Sequence, residues 1–92
     1  MKDFSIKPFA KKVEKPWGWE IILTQPGSQY TGKIIFVQAG ARLSLQYHDQ
    51  KEETICLFSG KAEIWLEDNQ GQIRHLPMEP QKGYRIKRYQ KH

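Results

Sequence analysis

At 92 residues, the chain falls just short of the roughly 100–200 that one domain usually takes, so a single small domain is expected and two are excluded. A chain of this size buries only about 60–65% of the surface its unfolded form exposes. Its one cysteine, Cys56, excludes an internal disulfide, which leaves a metal ion or a second subunit to supplement the core. The net charge of +5 sits mainly in two clusters, Lys7, Lys11, Lys12 and Lys15 near the start and Lys82, Arg85, Lys87, Arg88 and Lys91 near the end. Such clusters are most often solvated faces. A small anionic ligand such as a sugar phosphate is the next reading, and no RRM, zinc-finger or KH signature supports nucleic acid.

The aromatic content of 12% is too high for a disordered chain. No apolar run approaches the roughly 18 residues of a membrane span, and the opening Met1-Lys2-Asp3-Phe4-Ser5 lacks an apolar signal core. A cytoplasmic protein with no membrane partner is the expectation, and a lone thiol fits a reducing compartment.

Residues 1–15 are expected to form an extended arm, interrupted by Pro8 and bounded by Pro16, and residues 16–92 the domain. Helical periodicity is missing along the domain. Short runs rich in β-branched and aromatic residues alternate instead with turn signals, the pattern of an all-β sandwich or barrel. In chain order, strands are predicted over 17–24, 31–38, 42–48, 53–58, 61–67, 72–77 and 84–89. The intervening turns carry the Gly, Pro, Asn or Asp that turns require. Ser59-Gly60 is short enough to predict a tight hairpin between its flanking strands.

The third of these strands is the distinctive one. In 42–48, alternation places Leu43, Leu45 and Tyr47 on one face and Arg42, Ser44, Gln46 and His48 on the other. A wholly polar face is ordinarily solvated, but in a closed or nearly closed barrel it can line an interior cavity. Gln46 and His48 share that face, and Glu53 follows after a short connection. An amide oxygen, an imidazole and a carboxylate converging in this way suit zinc, manganese, iron or nickel. A fourth donor could come from His75 or His92, the other two histidines; His75, on a charged strand, reads first as an ordinary exposed residue.

Gly40, Gln46, His48, Glu53 and Gly60 carry a family resemblance. Five residues separate Gly40 from Gln46, four separate His48 from Glu53, and six separate Glu53 from Gly60. This resembles the first motif of the cupins, with Gln46 in the first histidine place. The wording Gly40-Ala41-Arg42-Leu43-Ser44-Leu45-Gln46 and the upstream Lys15-Pro16-Trp17-Gly18-Trp19-Glu20 are similar to the mannose-6-phosphate isomerase cupin domain. The resemblance implies a small cupin-type barrel (double-stranded β-helix, or jelly roll), either complete or lacking its last strands. It implies a divalent metal, zinc first, with Gln46, His48 and Glu53 as ligands.

A partial match to the second cupin motif, beginning at Gly83 and without its Pro-x-Gly, makes His92 the fourth ligand. The implied activity is aldose–ketose isomerisation of a sugar phosphate, with Arg42 and Arg88 as candidates for binding the phosphate and the general base unassigned. The rivals are a non-catalytic cupin module that holds a metal or a sugar, and another metal-dependent cupin enzyme such as a dioxygenase. Asp49-Gln50-Lys51 and Thr54-Ile55 stand where the family commonly has further histidines, an arginine and a His-Trp pair, which puts the substrate in question. Cupin domains normally continue past the last ligand, so a truncated form is one expectation. The other is a homodimer in which a partner fills the open edge, through the arm around Phe4, Ile6 and Phe9.

Overall fold

The computed structural model describes residues 7–92. Phe4 and Ile6 of the expected dimer arm lie outside the described residues. The described chain is all-β, with seven strands: β1 (Lys11–Lys15), β2 (Gly18–Ile22), β3 (Lys33–Val37), β4 (Glu53–Cys56), β5 (Glu63–Glu67), β6 (Ile73–Pro77) and β7 (Gly83–Ile86). They form three separate sheets, ordered β1-β2-β3, β4-β7 and β5-β6. This is a small cupin-like β domain lacking some strands. It divides into two units, one up to Leu43 and one from Ser44 to His92.

The first unit holds the three-stranded antiparallel sheet. Of the expected arm, Lys11–Lys15 form a strand, because Pro16 does not merely interrupt the chain but turns it. Lys15 and Gly18 are paired across β1 and β2, leaving Pro16 and Trp17 as the loop. Proline at the second position of a turn has its φ already set. Gly18 has φ 151° and its backbone packs so closely on Phe36 that an added Cβ would lie 2.0 Å from the Phe36 carbonyl oxygen, so only glycine fits there. Trp19 stacks on Phe36, its cross-strand partner, with ring centroids 5.3 Å apart. Such aromatic pairs add to strand pairing. The Pro-Trp-Gly signature is thus a hairpin corner and the aromatic clasp beside it.

In the second unit, β4 pairs antiparallel with β7, bringing Glu53 opposite Ile86, and β5 pairs with β6, bringing Ile64 opposite Leu76. The predicted hairpin across Ser59-Gly60 does not form: β4 and β5 go to different partners. Gly60 has φ 86°, so the segment turns, but the chain leaves one sheet for another. The predicted strand over 42–48 is not a regular strand either. Leu43, Leu45 and Tyr47, its expected buried face, are 39–56% exposed. The residues from Gln46 to His48 are held by only a few main-chain bonds to the segment after β7, described with the metal centre, and a few bonds to an irregular partner do not make a ladder. The fully buried core is correspondingly small: among the described residues only Ile64 and Ile86 are buried hydrophobics, at 7% and 1% exposure.

The β5–β6 turn is organised by Asp68. Its Oδ1 accepts from the main-chain amides of Gln70 and Gln72, each at 2.9 Å, and Arg74 stands 3.7 Å from Oδ2. The Gln72 amide above all, with the Gln70 amide and the Arg74 guanidinium, holds the Asp68 carboxyl below its ordinary value against an opposing effect of desolvation. A depressed carboxyl contributes stability above its unfolded pKa and loses it as pH falls through the folded one. Wild type is therefore expected to melt above Asp68→Asn at neutral pH, with the gap closing below about pH 4. Thermal melts of the two proteins across this range check it; a gap independent of pH would contradict it.

Candidate metal centre

The centre is assembled where the segment after β7 returns alongside the residues before β4. Gln46 and His92 exchange both main-chain bonds at 2.8 Å, N to O in each direction, and the Tyr89 amide donates to the His48 carbonyl at 2.7 Å. These bonds set His92 beside the stretch that carries His48. Glu53, the first residue of β4, is fixed by its register with Ile86 on β7. Two stretches far apart in sequence thus deliver two imidazoles to one carboxylate.

The His48 Nε2 lies 2.9 Å from Glu53 Oε1, and the His92 Nε2 lies 3.8 Å from Glu53 Oε2. The imidazole centroids are 5.4 Å apart at an interplanar angle of 49°, so the rings are tilted around the carboxylate rather than stacked. One donor atom from each of His48, Glu53 and His92 lies within 4.8 Å of the others. Donors held at about 2.0–2.1 Å by a tetrahedral ion stand about 3.3 Å apart, so closing the set on an ion needs small side-chain shifts.

His92 supplies a second test of fit. Its side chain is 8% exposed, and its Nε2 is buried without a hydrogen-bond partner. On the other side of the ring, Nδ1 is 3.2 Å from the Gln90 carbonyl oxygen. A carbonyl only accepts, so Nδ1 carries the hydrogen and Nε2 presents its lone pair. A buried lone pair with no donor is unfavourable, and a divalent cation is the partner that this nitrogen, a second imidazole and a carboxylate would share. The residues present fit a metal ion.

The other residues singled out by sequence are placed as follows. Gln46 is exposed and joins the centre through its main chain. Arg88 lines an open surface depression together with Glu67, Asp68, Lys87 and Tyr89. Arg42 belongs to the first unit. His75 is apart from the cluster, its ring stacked on Trp65 at 4.0 Å and nearly parallel to it. Sequence reasoning gave no sign that Gln90 and Glu67 hold the returning segment: Gln90 Nε2 donates to the Glu67 carbonyl at 2.8 Å, and the Lys91 amide donates to Glu67 Oε1 at 3.2 Å. Their spacing carries no signal, because their bonds depend on a turn that appears only in three dimensions.

An all-β domain in which two histidines meet a glutamate from the edge of a strand is a cupin-type domain with a candidate metal centre. The model of the family described as mannose-6-phosphate isomerase C-terminal matches residues 3–89, and the chain belongs to that family. The match takes in Arg42, Gln46, His48, Glu53 and Arg88 and stops short of His92, so the place of His92 in the cluster rests on the geometry. No curated protein and no solved structure matches the chain.

Proposed function

We propose that the protein is a cytoplasmic, metal-dependent cupin that interconverts the aldose and ketose forms of a sugar phosphate. The observation that carries the metal reading is the buried, unpartnered Nε2 of His92, beside a carboxylate already bonded to His48. His48, Glu53 and His92 would hold the ion, with the Gln46 amide oxygen as fourth ligand. Membership of the mannose-6-phosphate isomerase C-terminal family supports a sugar phosphate as the substrate class. Zinc is the favoured ion, and manganese, iron and nickel suit the same donors. When bound, the ion supplies Lewis-acid polarisation of the sugar oxygens. Arg88, beside Lys87 in that depression, is the candidate to bind the phosphate, since a guanidinium group matches its geometry.

A second reading is a module that holds a metal or a sugar without turning it over, and one observation favours it. The two non-ligand carboxylates of the β5–β6 hairpin that could act as base are already engaged. Glu63 Oε1 accepts from the Trp65 indole at 2.7 Å, and Glu67 is tied to Lys91. The assembly we infer is a homodimer, supported by β3. Among the described residues that strand pairs only with β2, and its Ile34, Ile35, Phe36 and Val37 are 38–51% exposed, an open apolar edge of the kind that pairs with another chain.

One preparation, made without a histidine tag, tests these points. Metal content, mannose-6-phosphate turnover with and without chelator, and mass by light scattering are measured. One equivalent of metal with chelator-sensitive turnover is the expected result; metal without turnover leaves the binding module, and no metal overturns the metal-dependent enzyme and the metal-holding module alike. A mass equal to a single chain overturns the dimer.

A further inference from the structure

We infer that Gln90 is the positioning residue of the metal centre, presenting the Nε2 of His92 to the ion. The inference rests on the reading of His92 as a ligand. After Ile86 the chain leaves β7 and reverses over Lys87–Gln90, with the Gln90 amide donating to the Lys87 carbonyl at 3.2 Å. The reversal passes through Tyr89 at φ 65°, an unfavourable conformation for a bulky residue that needs outside support.

Gln90 supplies much of that support. Its side-chain Oε1 accepts from the Lys87 amide at 2.9 Å, and its Nε2 donates to the Glu67 carbonyl at 2.8 Å. One side chain therefore closes the turn on itself and ties it to the end of β5. Among side chains of this length, only a primary amide offers both an acceptor and a donor. The consequence lies on the main chain of the same residue, whose carbonyl faces His92 Nδ1 at 3.2 Å. Fixing that carbonyl fixes both the tautomer and the tilt of the ring. Groups that orient a metal-binding histidine in this way typically change metal affinity by about 10–100-fold when removed.

The test uses Gln90→Met, which keeps the bulk and loses both side-chain bonds, and Gln90→Glu, which keeps the length and the bond from the Lys87 amide but cannot donate to Glu67. Zinc affinity is read by competition with a chromophoric chelator. The His92 tautomer is read in the metal-free chain by imidazole nitrogen NMR, well above the imidazole titration range. Expected for wild type is hydrogen on Nδ1 alone. Gln90→Met is expected to give a mixture of tautomers and about 10–100-fold weaker zinc binding, with Gln90→Glu between the two. If Gln90→Met does not fold, Gln90→Glu carries the same comparison. Wild-type tautomer and wild-type affinity in the folded variants would overturn the proposal. A wild-type chain that binds no zinc would overturn the metal reading instead, and the tautomer comparison would still decide whether Gln90 orients the ring.

Discussion

Ile86→Ala is expected to destabilise the domain by about 2–5 kcal/mol, a large share of the stability of a chain this small. At 1% exposure Ile86 is the one fully buried side chain among the described residues, so its truncation empties the most completely buried apolar position that they contain. The effect reaches the site, because Ile86 is the register partner of Glu53 and the last residue of the strand from which the His92 segment departs. Urea denaturation followed by circular dichroism measures it. A loss under about 1 kcal/mol, the range of a surface substitution, would show that the core is not centred on β7.

The second large effect concerns the ion. A ligand present at about 100 times its dissociation constant stabilises the folded state by about 2.7 kcal/mol. In a domain of this size each kcal/mol moves the melting temperature by about 4–8 °C, so zinc is expected to raise it by roughly 10–20 °C. His48→Ala and His92→Ala should each remove most of that rise, since each takes one of the two imidazoles from a set of three converging side chains. His75→Ala should keep it in full, because His75 pairs with Trp65 instead. Melts with and without zinc and chelator provide the check, and an equal rise in all four proteins would mean that the ion binds elsewhere.

Much of this architecture is visible in sequence, and the exceptions share a cause. β2 to β7 each fall where alternation and turn residues put them, usually shortened by a residue or two, because period and turn chemistry are local. β1 is invisible: Lys11, Lys12, Glu14 and Lys15 offer nothing apolar to alternate, and the strand exists because β2 accepts it. The stretch at 42–48 fails in the opposite direction. It alternates well, yet it has no continuous neighbour to make a ladder. Ser59-Gly60 has the residues of a hairpin, but pairing is decided by which strand lies alongside, and β4 finds β7.

For the site, the resemblance of the Gly40 to Gly60 stretch to the first cupin motif singles out Gln46, His48 and Glu53 without any structure. His92 could be suggested only through an incomplete second motif, and its approach to Glu53 depends on the reversal after β7. The bonds that make this reversal, from Gln90 to Lys87 and Glu67, join residue types that occur on any surface.

The most direct test of the account is a zinc titration of chelator-stripped wild type beside His48→Ala, Glu53→Gln and His92→Ala, with binding read by competition. The account predicts one ion per wild-type chain and at least a hundredfold weaker binding in each variant, a loss of about 2.7 kcal/mol or more. A wild-type chain that takes up no zinc, manganese, iron or nickel, or a His92→Ala protein that binds as tightly as wild type, would contradict it.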